Sequence, residues 1–298
     1  MKKNSILVLI IVSLFILAFI LIRSTRLNDN ANIIYTANEP ISSKLRKAVE
    51  SVSYPTQARP VGMFTKVELS SKQPLNELIT LVGDSNVDLV LGINRIDRGN
   101  IRPGMTIVVP KDINTIKKWE YLPGKIGTAK SIPKLIIVSQ PIQAFGAYEY
   151  GLLVHSGPVS SGKKLNQTPS GLFFVNWKGE ETISTFDDEW ILKWNMNIDN
   201  LAGISMHQYS LPGYPASHSC VRMTEADAYW MYKWTEEWTW KNGEVITEGT
   251  PVVVYNNYNF DGPAPWTLLP ENSKSTDTPR SILEDLVKNY LPKIKSST

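Results

Sequence analysis

The chain has 298 residues, 42% of them apolar and 20% charged, a composition of one large or two ordinary globular domains and not of a disordered or collagenous chain. A net charge of +3, with no basic run interleaved with aromatics, gives no basis for nucleic-acid binding. The single cysteine, Cys220, cannot form an intramolecular disulfide and leaves one thiol free for chemistry.

In chain order, Met1-Lys2-Lys3-Asn4-Ser5 precedes an almost unbroken apolar run, Ile6 to Ile22, closed by Arg23 and Arg26. The run is at the short end of the roughly 17 to 25 residues that span a bilayer. It exceeds the roughly 7 to 15 residues of most signal-peptide cores, and Ile-Leu-Ile-Arg stands where a small-x-small cleavage site would follow. Residues 1–26 therefore read as an uncleaved signal anchor with a transmembrane helix, a cleaved signal being the alternative. Residues 27–61 are polar, with a short helical pattern at Leu45, Val49 and Val52, and read as a stalk.

Over residues 62–111 the pattern predicts a strand at Phe64 to Leu69, helices around Leu75 to Val82 and Val87 to Asn94, and a strand at Met105 to Val109. This β-α-α-β order, with Leu91-Gly92-Ile93-Asn94 and Ile101-Arg102-Pro103-Gly104-Met105, is similar to a LysM module, a small glycan-binding fold. The strand entry lacks the usual Gly-Asp-Thr-Leu and shows Ser-Lys-Gln-Pro-Leu instead, which suggests a degenerate module that packs on the following domain without gripping sugar.

From Ile132 the chain is β-rich, with runs at Lys134 to Ser139, Ala144 to Tyr148, Gly151 to Val159 and Gly171 to Trp177, each bounded by Gly or Pro. Antiparallel strands at this spacing predict an all-β sandwich or barrel-like core. His155 reads as a partly buried strand histidine. Thr182 to Leu201 is less regular and reads as an insertion or lid. Thr224-Glu225-Ala226-Asp227 is a capping-type helix start, and Ala228 to Trp240 carries four tryptophans that read as helix packing more than as a sugar platform. Thr250 to Tyr255 closes the sheet. Residues 258–298 form an extension with an amphipathic helix at Ser281 to Tyr290, its face made of Ile282, Leu283, Leu286 and Val287, either docked or a loose tail.

Two of the three histidines, His207 and His218, lie within thirteen residues of Cys220. A sulfur nucleophile needs a base and an environment that holds the thiolate. If Ser217 to Cys220 is extended, His218 and Cys220 share a face, and His207 arrives from a neighbouring segment. The alternatives are a cysteine acting as a small buried hydrophobe and a zinc site of His207, His218 and Cys220, which lacks a nearby fourth ligand, a Cys-x-x-Cys pair or a His-Glu-x-x-His helix. No metal or cofactor is expected.

Met206-His207, Leu211-Pro212-Gly213-Tyr214-Pro215-Ala216 and Ser217-His218-Ser219-Cys220-Val221-Arg222-Met223 together resemble the signature of the L,D-transpeptidase (YkuD) family. Gly157-Pro158-Val159-Ser160-Ser161-Gly162-Lys163, Thr168-Pro169-Ser170-Gly171 and Glu248-Gly249-Thr250-Pro251-Val252-Val253-Val254 resemble its other conserved pieces, so that the likeness spans residues 132 to 256 within a catalytic domain placed at 130–257. The resemblance implies a mainly β, sandwich-type catalytic domain that cross-links peptidoglycan stem peptides through a cysteinyl acyl-enzyme. An L,D-carboxypeptidase and a non-catalytic peptidoglycan-binding protein are the alternatives. It implies Cys220 as nucleophile and His207 as base. Gln208 contributes its backbone carbonyl, the N–H groups of Ser219 and Cys220 an oxyanion site, Ser217 and His218 the shape of the site, and Arg222 a hold on a substrate carboxylate. The implied partners are stem peptides and glycan, with the membrane reached through Ile6 to Ile22 and the catalytic domain extracytoplasmic. Ser219 stands where the family has glycine, which predicts strain if that position needs a positive φ.

Overall fold

In the computed structural model, residues 62–116, 119–184 and 190–297 are described. The expected anchor, Ile6 to Ile22, and the stalk at 27–61 lie outside them. Among the described residues no helix is long and apolar enough to cross a membrane.

Strand β1 (Phe64–Leu69) pairs antiparallel with β2 (Met105–Pro110), from Phe64 opposite Pro110 to Leu69 opposite Met105. Between them run helix α1 (Pro74–Val82), which starts on a proline suited to the first helical turn, and α2 (Asp84–Ile93). Gly83, at φ 79°, ends one helix and starts the next within a single residue, a left-handed conformation that favours glycine. Leu69, Leu78, Val87, Leu91 and Ile107 form the small core of this module.

The remaining strands are β3 (Lys134–Ser139), β4 (Ala144–Glu149), β5 (Leu152–Ser160), β6 (Gly171–Phe174), β7 (Lys178–Ile183), β8 (Ile191–Asp199), β9 (Ile204–Gln208), β10 (Val221–Met223), β11 (Thr239–Lys241), β12 (Glu244–Thr247) and β13 (Pro251–Tyr255). Nine of them form one sheet in the order β6-β13-β3-β4-β5-β10-β9-β8-β7. Of the expected antiparallel sandwich or barrel-like core, the mainly β character holds, and the two-sheet, all-antiparallel form is corrected. The sheet is single and mixed, because β13 runs parallel to β3 and β10 parallel to β9. Opposite edges β6 and β7 are joined by only residues 175–177, so the sheet must curl to bring those strand ends close. The connector extends the β7–β8 ladder: Asn176 N donates to Asn197 O (2.7 Å) and Asn197 N to Trp177 O (2.9 Å).

Inside the curl, Ile136, Phe145, Val159, Met206, Val221 and Val252 pack with Ala228 and Met231 of helix α3 (Glu225–Trp234). Alternate residues of β3 serve two cores: Ile136 and Val138 face inward, Leu135 and Ile137 outward. A strand buried on both faces reads as a continuous apolar run, as Leu-Ile-Ile-Val does.

Three further expectations are corrected. Thr182 to Leu201 is not irregular throughout, since it holds the end of β7 and the whole of β8; the register shifts between Lys193 and Met196, with Trp194 at φ 53°, and this bulge hides the two-residue period. The helix expected through Trp240 stops at Trp234. Thr235 is extended, and Thr239 to Thr247 is a hairpin turned at Asn242 and Gly243 (φ 55° and 90°), a pair that favours such turns. Ile282 is not on the buried face of the last helix, α4 (Arg280–Ser297), being 37% exposed, whereas Leu283, Val287 and Ile294 are buried.

Helix α4 docks. Glu284 accepts from Gly127 N and Thr128 N, both at 2.7 Å, while Leu283 and Val287 join the outer core with Ile126 and Ala129. Leu283→Ala should therefore cost about 2–5 kcal/mol, read as a lower midpoint in denaturant unfolding. A loosely held helix would leave the midpoint unchanged.

Candidate active site

The parallel β9–β10 register sets Val221 beside Met206 and Arg222 beside His207. Side chains alternate across a strand. Met206 and Val221 therefore face the core, while Ser205, His207, Cys220 and Arg222 share the other face and line one open cleft of about 180 Å³. The nucleophile candidate and the base candidate are thus brought together by strand pairing across a loop that separates them in sequence. Ser217 to Ser219 are not a strand: Ser217 makes only an isolated parallel bridge with Gly162, and the chain turns through Ser219 before β10.

His207 is 4% exposed, and its Nδ1 donates to the backbone carbonyl of Gln208 at 2.9 Å. This bond leaves Nε2 unprotonated. Burial lowers the His207 pKa to about 4, with the Gln208 carbonyl opposing and Arg222 adding a small push. Burial pushes the Cys220 thiol the other way, upward, against the Ser205 backbone N–H and the Arg222 charge. Cys220 Sγ lies 3.7 Å from Gly203 O. At neutral pH the pair is therefore a neutral imidazole and a thiol, which suits proton transfer during attack better than a preformed ion pair.

Ser217 is 2% exposed, and its Oγ donates to the Cys220 carbonyl while its N donates to Ser161 O (3.0 Å). Ser219 has φ 89°, a left-handed conformation costly for any side chain. Its carbonyl is held by Thr168 Oγ1 (2.8 Å). His218 accepts at Nε2 from Lys163 Nζ (2.6 Å) and lies against Trp190, with ring centroids 5.5 Å apart. Its pKa is lowered by burial and then by Lys163 and Arg222. The Arg222 guanidinium stacks on Tyr209 at 4.5 Å. Gln208 presents its backbone to the site. His155 lies elsewhere, bonded to Asp227 (2.8 Å) and stacked on Trp230. Among the described residues no cluster of three or more His, Cys, Asp or Glu side chains is placed to hold a metal ion.

Sequence reasoning missed Lys163, Tyr209 and Asn195. Lys163 ends the quoted run Gly157 to Lys163 without a role assigned to it, and Tyr209 lies beside a quoted motif and carried no signal of its own. Asn195 lines the cleft, is 1% exposed, and neither its amide oxygen nor its amide nitrogen has a hydrogen-bond partner among the described residues. Its place on the bulged part of β8 concealed it. None of the described residues lining the cleft is acidic.

Residues 133–254 match the model of the L,D-transpeptidase catalytic domain, YkuD. No curated protein matches the chain. Among solved structures, the chain is similar to an L,D-transpeptidase from Mycobacterium smegmatis (20% identity, 42% of this chain and 59% of that one, TM-score 0.33). Others are an L,D-transpeptidase from Stackebrandtia nassauensis (16%, 62% and 77%, 0.37) and the catalytic domain of the E. faecium L,D-transpeptidase (22%, 41% and 96%, 0.33). The chain thus spans about three-fifths of the Mycobacterium smegmatis chain.

Two outcomes are expected from the site's geometry. Ser219→Gly should fold within about 1 kcal/mol of wild type, whereas Ser219→Val, β-branched at a positive φ, should lose about 1–3 kcal/mol; equal unfolding midpoints would refute the strain. Asn195→Leu removes two buried polar atoms without partners, which typically cost about 1–3 kcal/mol. Its melting temperature should equal or exceed that of wild type, and a lower one would mean that Asn195 has a structural partner.

Proposed function

We propose that the chain is a peptidoglycan L,D-transpeptidase in which Cys220 is the nucleophile and His207 its general base. The observation that carries this reading is the shared cleft face of a buried neutral His207 and the thiol of Cys220. Cys220 Sγ attacks the carbonyl of the third residue of a donor stem peptide as His207 Nε2 takes the thiol proton. The backbone N–H groups of Ser219 and Cys220 receive the developing oxyanion. The bond to the terminal D-residue then breaks, the departing amine taking the proton from His207, and a thioester remains. An amine of a second stem peptide displaces Cys220 from that thioester, forming the cross-link and returning the proton to the thiolate through His207. Arg222 and Lys163, in or beside a cleft with no acidic lining among the described residues, favour a substrate that carries carboxylates. Ser217 and His218 keep the loop around Cys220 in shape.

On this reading the catalytic domain occupies 130–257, with a LysM-like module at 62–111 and an extension at 258–298. Residues 1–26 anchor it to the membrane from the extracytoplasmic side, where stem peptides and glycan lie.

A carbapenem, as an acyl-donor mimic, should add covalently to the intact protein and not to Cys220→Ala, read by mass. An adduct on the variant, or none on the wild type, would sink the assignment. Mass analysis of muropeptide products separates cross-linking from carboxypeptidase action. Because the imidazole must be neutral to act, acylation should hold down to about pH 5 and fall as His207 protonates through about 4. The same sign holds for stability: His207 is buried neutral, so folding loses stability as pH drops from about 6.5 toward 4. His207→Ala should slow acylation at least about a hundredfold at neutral pH, with the rate climbing about tenfold per pH unit as hydroxide generates the thiolate. A flat profile in that variant would assign the base elsewhere.

A further inference from the structure

The loop between His207 and Cys220 is gripped from outside the catalytic sheet. Segment 95–100, where α2 leaves the β1–β2 module, pairs with it: Ile96 forms an antiparallel bridge with Pro212. Asp97 N donates to Leu211 O (3.0 Å), and Asp97 Oδ2 accepts from Leu211 N (2.7 Å), so one residue holds both polar backbone groups of the fully buried Leu211. Asn100 Nδ2 donates to both Asp97 Oδ1 (2.8 Å) and Ser210 Oγ (2.7 Å). Ile96 lies against Gly213, where a Cβ would come within 3.0 Å of Ile96 Cγ1 at a backbone φ of 93°.

A second arm starts one residue earlier. Arg95, fully buried, donates from Nε to Ile142 O (2.9 Å) and Gln143 O (3.1 Å). The Gln143 side chain accepts from Ser161 N and donates to Ser161 Oγ, both at 2.8 Å. Ser161 O then accepts from Ser217 N, and Ser217 Oγ bonds the Cys220 carbonyl. The module therefore reaches the loop soon after His207 and again just before Cys220.

We infer that the β1–β2 module is a brace for the catalytic loop, and that Asp97 is a positioning residue for Cys220, acting through Leu211. The inference rests on the reading of Cys220 as nucleophile. A loop carrying the strained Ser219 stays in one conformation only if its surroundings over-determine it. The three-residue strand β10 supplies little of that by itself. A misplacement of about 1 Å at a reacting atom costs about a hundredfold in rate. Asp97 fixes the loop without touching the cleft, so its loss should spare binding and slow chemistry.

The experiment uses the full chain and a carbapenem, separating the limiting acylation rate constant from the half-saturating concentration, with thermal melting alongside. Asp97→Ala should lower the rate constant by about 10- to 100-fold with half-saturation within about twofold. Asp97→Asn, which keeps an acceptor for Leu211 N, should recover most of the rate. An unchanged rate constant, a change in half-saturation alone, or a loss no larger than the melted fraction would overturn the brace. If Asp97→Ala does not fold, Asn100→Ala, which removes the contacts to Asp97 and Ser210, should still slow acylation severalfold, and an unchanged rate there would overturn it equally. If wild type is not acylated at all, the transpeptidase reading falls on its own. Alkylation of Cys220 by iodoacetamide then decides the brace: loosening a partly buried thiol should raise the rate at least about threefold in the variant, and equal rates would refute it.

Discussion

The parallel pairing of β9 with β10 is the constraint on which the site depends. It is a short contact, Val221 to Met223 against Met206 to Gln208. Because successive side chains point to opposite faces, this register sends Met206 and Val221 into the core and His207 and Arg222 into the cleft. A slip of one residue would bury the polar set and expose the apolar one. The pairing also has a second wall, since β10 runs antiparallel to β5 through Met223 opposite Val159 and Arg222 opposite Ser160. The nucleophile candidate is thus the residue that immediately precedes a strand wedged between two longer ones.

Burial then determines the electrostatics. The same loss of water pushes the imidazole of His207 and the thiol of Cys220 toward their neutral forms, because in each case it is the charged form that loses hydration. The cationic groups around the cleft act against one of these shifts and with the other: Arg222 favours a thiolate and disfavours an imidazolium. On the proposed reading, the site rests uncharged at its reacting centre beside Arg222, so negative charge is stabilised chiefly once it develops in the transition state.

The curl of the sheet explains why so many peripheral elements are needed. With residues 175–177 joining opposite edges, the inward face closes around its own core and α3, leaving the outward face of β3 and β4 apolar. Four pieces from distant parts of the chain cover it: Phe64 and Val108 of the first module, the stretch from Trp119 to Ile132, the segment with Trp266 and Leu269, and α4. The module that covers this face is the one that reaches the catalytic loop through Arg95 and Asp97, so outer packing and loop geometry are mechanically joined.

Local pattern alone determined the strands from Lys134 to Val159, the β-α-α-β order of the module, the capped start of α3 at Thr224, and the constellation of His207, Ser217, His218, Cys220 and Arg222. Each of these is a short-range signal, an apolar period, a capping pair or a motif. Tertiary structure decided the rest. The parallel pairs and the curl follow from which strands meet, and spacing along the chain does not encode that. The strand β8 was hidden because its bulge breaks the period that marks a strand. The hairpin at Asn242-Gly243 was legible in principle and was overridden by the tryptophan-rich run beside it. Lys163 closed a quoted motif with no role of its own, and Asn195 and Asp97 had no local signature at all. Their importance comes from being brought against residues tens of positions away, and only the folded chain creates those distances.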